Sequence, residues 1–335
     1  MINILIILII IVFIILVLKN REFFSVDKIV FIHPTEACRV LEKLKNDYKY
    51  NIQDITLRDI NKKYENNIYK FYCDNLLEFT EIEKKLLIWC FDTIKKKIKT
   101  QNLKIDLLFI FENIRLAKFE NFVDNGYPHT NDNIIFLTSN FITRLLTYFN
   151  SGDEENMIIN IGSVIIHECI HIWQRRNPSA FLNLYTKYWH FSNPQKIYNI
   201  EFIEKIRRFN PDGKKMNWVF NYNKKHILLA SIYKNNADDI GDVDYVGLFL
   251  DKQNGKYSIN EDRQTIRNLK NIVDIDEFSD FFTHIYGNHY HPNELSAELL
   301  SIYYLKTLKL SHKKFTNIAY KNMLIWLKTV FKSKK

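Results

Sequence analysis

The stretch VIIHECIHIW, residues 164–173, restricts the fold more than any other part of the chain. It sets two imidazoles and a carboxylate inside an otherwise uncharged run, and such groups are not buried without partners. On an α-helix four residues advance about 400°, so His167 and His171 project from one face, one turn apart. Two imidazoles placed in this way can grip a single metal ion, and Glu168 follows the first of them, where a carboxylate can move a proton. Val164, Ile165, Ile166, Cys169, Ile170, Ile172 and Trp173 carry no charge, as expected of a helix running through a core. The chain must then deliver a third ligand to this helix, because catalytic zinc takes three protein ligands and keeps one position open.

Two regions compete for that role. HPNELSAELLS (291–301) places Glu294 and Glu298 on one helical face, with Pro292 suited to a first turn, where the helix dipole also favours the Glu294 carboxylate. Glu201 and Glu204 in IEFIEKIRR lie closer in sequence to His171. Glu294 is preferred for its i+4 partner and local motif, and His291 is a weaker substitute for it.

The pattern resembles the gluzincin-type zinc metallopeptidases, both the thermolysin-like enzymes and those like the anthrax lethal factor. They take a glutamate ligand from a later helix, with an acidic residue four positions on. The metzincin alternative is excluded, since residue 174 is Gln where that group has Gly and 177 is Asn where it has His. The resemblance implies one catalytic zinc ion held by His167, His171 and Glu294, with Glu168 as general base and Glu298 orienting His167. It also implies a donor for the developing oxyanion, for which FTHIYGNHYHPNE (282–294) offers Tyr286, His289 and Tyr290; Tyr286 with Gly287 is the closest match. The stretch between His171 and Glu294 is longer than in most gluzincins and so reads as containing an insertion. Residues 19–100 and 180–275 match no known pattern.

The N-terminus adds a second constraint. Residues 4–18, ILIILIIIVFIILVL, are continuously apolar and read as one uncleaved transmembrane anchor; with residues 1–3 the helix reaches roughly 27 Å. Lys19 and Arg21 follow it, so the positive-inside rule puts the catalytic domain on the cytosolic side or its topological equivalent. Cys38, Cys73, Cys90 and Cys169 form no CxxC pair and read as free thiols of a reducing compartment. The net charge of +9 is spread over short lysine clusters, which excludes an arginine-rich nucleic-acid recognition helix and reads as a solvated basic surface.

Between these landmarks, Thr80 and Glu83 open a helix with a capping box, KIDLLFIF (104–111) and NIIFL (133–137) read as strands, and a helix from about Asn156 to Arg176 carries the metal motif. Residues 178–215 read as helical up to the turn NPDG (210–213). HILLASIY and YVGLFLDKQNGKYSI suggest a β-hairpin with QNG at its tip. Helices return at about 276–286, 292–308 and 313–331. His33 and His129 read as loop residues.

The expected fold is α+β: a mostly helical zincin-like domain with a small mixed β-sheet and a β-hairpin insertion, behind one transmembrane helix. Residues 1–20 are the anchor, 21–100 a helical N-terminal region, and 101–335 the metallopeptidase core, with the insertion at about 180–275. The expected activity is hydrolysis of a peptide or protein substrate by a membrane-anchored enzyme. A zinc hydrolase of a non-peptide amide, or a non-catalytic virion or envelope protein retaining the fold, are the alternatives.

Overall fold

The computed structural model describes residues 29–43, 68–101, 108–208, 217–235, 242–260, 269–283, 290–311 and 317–332. The expected anchor, the NPDG turn, Tyr286, Gly287 and His289 lie outside them. Among the described residues no helix is long and apolar enough to cross a membrane.

The fold is α+β with mixed sheets. The first sheet contains β1 (Val30–Phe31), β2 (Leu76–Leu77), β3 (Arg115–Phe119), β4 (His129–Asn131) and β5 (Ile134–Thr138), in the order β1-β3-β5-β4 with β2 also on β3. β1, β3 and β5 are parallel, whereas β4 and β2 pair antiparallel. The helix Glu81–Lys99 covers it, and the anticipated capping box is present, with Glu83 accepting from the Thr80 N–H at 2.7 Å and the Thr80 hydroxyl accepting from the Glu83 N–H at 3.3 Å. Glu83 also pairs with the buried Lys118 of β3 at 2.8 Å, so one carboxylate closes the helix end and neutralises a charge on the sheet.

Two further sheets follow. The second joins β6 (Phe191–Ser192), β8 (Val219–Tyr222), β9 (Lys225–Tyr233), β10 (Val243–Phe249) and β13 (Lys270–Asn271), in the order β13-β10-β9-β8-β6. The third comprises β7 (Ile197–Tyr198), β11 (Asp251–Gln253) and β12 (Lys256–Ser258). Side chains alternate across β9: Ile227 and Leu229 join the main core with the metal-motif helix, whereas Leu228, Ala230 and Ile232 pack in a separate cluster on the other face. The expected tip survives in the small β11–β12 hairpin, where Asn254 and Gly255 both take positive φ.

Several expectations are corrected. Leu108–Phe111 is a 3-10 turn, not a strand; Ile110 and Phe111 plug into the core, and the strand role falls to β3, whose Arg115 and Lys118 disguise it. The metal-motif helix starts at Glu154, capped by Asp153, and passes through a π-helical segment, Ile158–Gly162, before Ser163–Arg176. A Cβ at Gly162 would meet Ile94 at 3.1 Å, so the glycine lets two helices approach closely there. Pro178–Asn183 and the π-helical turn Leu184–Tyr188 are helical as expected; beyond them the chain turns to short strands, with Glu201–Glu204 helical among the described residues up to 208. The helix expected at 276–286 closes at Phe282, and the last one is Ile318–Lys332.

Cys38 and Cys73 are joined by a disulfide, against the expectation of four free thiols. The helices Pro34–Lys43 and Ile68–Asp74 pack together and bring the two Cα atoms to 5.0 Å, a proximity that sequence spacing does not reveal. Cys90 and Cys169 are free and fully buried, and desolvation pushes both thiols well above their usual range.

Candidate metal centre

Ser163–Arg176 is held on three sides. Trp173 packs edge-on against Phe109 and Phe181, at 4.9 and 4.8 Å between ring centroids. Arg175 donates to the Thr130 hydroxyl at 2.7 Å and to the Thr130 carbonyl at 3.1 Å, which ties the helix to the edge strand β4. The third side is the helix Pro292–Thr307, which begins with Pro292 in the first turn, as anticipated. His291 caps it, its Nδ1 accepting from the Asn293 N–H at 3.1 Å. That bond engages His291 as a cap, and it is not among the residues that converge on the metal motif.

Packing these two helices side by side brings Glu294 onto His167 and His171. The three offer donor atoms that could hold a metal ion. The His167 and His171 Nε2 atoms are 3.0 Å apart, Glu294 Oε2 is 3.3 Å from the first and Oε1 is 3.5 Å from the second. A tetrahedral ion with bonds of about 2.0–2.1 Å separates its ligands by roughly 3.3–3.4 Å, so this triangle is the right size for zinc. Glu294 and His171 are buried, whereas the His167 side chain keeps 14% of its surface exposed, leaving the group reachable from that side. Burial works against the Glu294 charge, but His171 and His167 together hold its carboxyl well below the usual carboxylate range.

A hydrogen-bonded relay orients His171. Its Nδ1 lies 2.9 Å from the Gln174 carbonyl oxygen, which accepts only if Nδ1 carries the proton. The Nε2 lone pair is then turned toward Glu294 and His167, the state a metal ligand needs. Gln174 in turn donates to the Asn293 carbonyl at 2.8 Å and to the Ser296 hydroxyl at 2.9 Å, and Ser296 meets the Tyr185 hydroxyl at 2.8 Å. One amide thus bonds both to a candidate ligand and to the helix that supplies another candidate. Gln174 was not anticipated as a functional residue, although its position three after His171 places it on the same helical face.

Glu298 lies as expected one turn beyond Glu294, with Oε2 at 4.0 Å from His167 Nδ1. Glu168 is buried on the metal-motif helix. Glu201 and Glu204 are exposed on a short helix and do not join the group. Of the three oxyanion-donor candidates only Tyr290 is described: it is buried and its ring stacks on Tyr245 at 5.4 Å. His33 faces Glu78 at 2.7 Å, and His129 is on β4 near Asp124 at 3.4 Å.

No protein-family profile matches the chain, and no curated protein or solved structure matches it. What stands is an α+β protein with a candidate His–His–Glu metal-binding group.

Proposed function

We propose that the chain is a zinc-dependent metallopeptidase of gluzincin type, tethered to a membrane by residues 4–18. The observation that carries this reading is the meeting of Glu294, from a distant helix, with both histidines of the H-E-x-x-H motif in a triangle of zinc dimensions. The donor set of two neutral imidazoles and one carboxylate suits a divalent ion of intermediate softness and carries a single negative charge.

When bound there, zinc supplies Lewis acidity toward the scissile carbonyl and lowers the pKa of a coordinated water from about 16 to about 7. Glu168 takes the proton of the attacking water and delivers it to the leaving amine. Gln174 keeps His171 in its ligating tautomer, and Glu298, 4.0 Å from His167 Nδ1, is the acid placed to orient that ring once the two close to hydrogen-bond distance. Tyr286, His289 and Tyr290 remain the proposed donors to the oxyanion.

The test compares metal content and peptide hydrolysis in the protein from residue 22 onward. Glu294→Ala loses zinc and Glu201→Ala keeps it; Glu168→Gln keeps zinc and loses hydrolysis. Full hydrolysis by Glu168→Gln, or undiminished zinc in Glu294→Ala, defeats the reading.

The side of the membrane is set by two opposed features. Lys19 and Arg21 favour a cytosolic domain, whereas the Cys38–Cys73 disulfide supports an oxidising compartment. We favour the disulfide, because two thiols held this close stay paired only where they are not reduced. Recovery of Cys38 and Cys73 as free thiols when intact cells are alkylated before lysis would reverse that choice.

A further inference from the structure

The face of the second sheet turned toward the metal-motif helix ends in polar groups. Ser231 pairs with Tyr245 across β9 and β10, and opposite residues of an antiparallel pair share a face. On the other side of β9 the chain adds an isolated bridge, Arg207 opposite Ile232, with the Arg208 N–H donating to the Ser231 carbonyl at 2.8 Å. Arg208, Ser231 and Tyr245 therefore form one row, on the face that carries Ile227 and Leu229 into the main core. Tyr245 stacks at 5.4 Å and 6° on Tyr290, which immediately precedes His291, the cap of the helix bearing Glu294.

Two members of this row lack partners. Among the described residues the Arg208 guanidinium, half-buried, has neither a hydrogen bond nor a carboxylate within 4.0 Å. The Ser231 hydroxyl, fully buried, has no hydrogen-bond partner. Burial works against the Arg208 charge, but Tyr290, Tyr233, Tyr245 and Asp124 lie near enough to outweigh it. Burial raises the Tyr245 phenol above its usual range, with Arg208 opposing the rise and Glu294 adding to it. Asp124 Oδ1 accepts from the Tyr72 hydroxyl at 2.7 Å, while its buried Oδ2, 3.4 Å from His129, makes no hydrogen bond and lies more than 4.0 Å from the guanidinium. An unpaired guanidinium with a buried hydroxyl beside it is costly to keep for stability alone and is the usual means of gripping a planar anion.

We propose that Arg208, seated by β9 and flanked by Tyr245, Tyr290 and Ser231, is a carboxylate-binding group of the substrate cleft, so that the enzyme selects peptides carrying a carboxylate close to the scissile bond. This rests on the peptidase reading and narrows its substrate class. The carboxylate comes either from a peptide C-terminus or from an Asp or Glu side chain.

The experiment measures binding to the zinc-loaded Glu168→Gln protein by calorimetry, and hydrolysis by the otherwise wild-type protein, with three otherwise identical peptides. One has a free C-terminus, one is amidated, and one is amidated with an internal Glu. Arg208→Ala should weaken binding of one carboxylate-bearing peptide about tenfold or more and leave the fully neutral one unchanged. Arg208→Lys should recover part of the loss, and the melting temperature should hold or rise, since an unpaired cation is removed. The peptide that loses affinity identifies the carboxylate source. Equal binding of all three peptides, or an Arg208→Ala loss shared by the neutral peptide, overturns the proposal. Arg208-dependent binding without hydrolysis of any peptide defeats the peptidase reading and leaves the anion site standing; hydrolysis indifferent to every carboxylate does the reverse.

Discussion

Replacing Gln174 by Leu keeps the side-chain size and removes three hydrogen bonds, those to His171 Nδ1, the Asn293 carbonyl and the Ser296 hydroxyl. Ser296 still has Tyr185 at 2.8 Å and still donates to the Asn293 carbonyl at 3.0 Å, so the damage concentrates on His171. Its buried Nδ1–H loses the acceptor that selects the tautomer, and the ring gains freedom to protonate Nε2, the atom that faces Glu294. Such an outer partner is worth about 10–100-fold in metal affinity, or roughly 1.4–2.8 kcal/mol. The stranded N–H adds about 1–3 kcal/mol to the loss of folding stability. Zinc affinity is read by competition with a chromophoric chelator, and stability by thermal denaturation of the metal-free protein. Gln174→Glu separates the two effects, because its carboxylate still accepts from Nδ1–H while the donor to Asn293 is lost. It should bind zinc at least as well as wild type and yet be less stable. A folded Gln174→Leu protein with unchanged zinc affinity would refute the orienting role.

Two other consequences concern stability. Burial pushes the Asp92 carboxyl up to about 6 in spite of Lys95 and Lys99, so the folded protein holds this proton more tightly than the unfolded chain. Its contribution is therefore most favourable below about pH 4 and fades as pH rises through about 6; Asp92→Asn should raise stability at pH 8 by about 1 kcal/mol, after discounting for partial exposure, and by nothing at pH 4. Thermal melts at the two pH values check the sign. Non-reducing peptide mapping should recover Cys38 linked to Cys73, with Cys90 and Cys169 alkylated only after denaturation, and Cys38→Ser should cost about 2–4 kcal/mol.

The candidate metal-binding group was legible where its residues are local. His167 and His171 stand out because helical geometry converts a four-residue spacing into one face, and Glu294 with Glu298 stand out for the same reason. The capping box of Thr80 and Glu83 belongs to the same class, since both partners lie within one turn. Strand β3 was missed because Lys118 breaks the apolar pattern, and only the fold shows that Glu83 neutralises it. The helical reading of 178–215 holds over 178–188 and at Glu201–Glu204, and gives way at Phe191–Ser192 and Ile197–Tyr198 because these short strands are stabilised by neighbours remote in sequence.

Taken alone, then, the chain determined what repeats within a turn or two: the metal-motif helix, the caps, the hairpin tip and the face shared by two carboxylates. Tertiary structure alone decided which carboxylate meets the histidines, that Gln174 orients His171, that Cys38 closes on Cys73, and that Arg208 stands in a row with Ser231 and Tyr245. The physical reason is one of range. Backbone periodicity links residues a few positions apart, whereas contacts between distant segments follow from how apolar faces are buried against one another, and no local pattern encodes that choice.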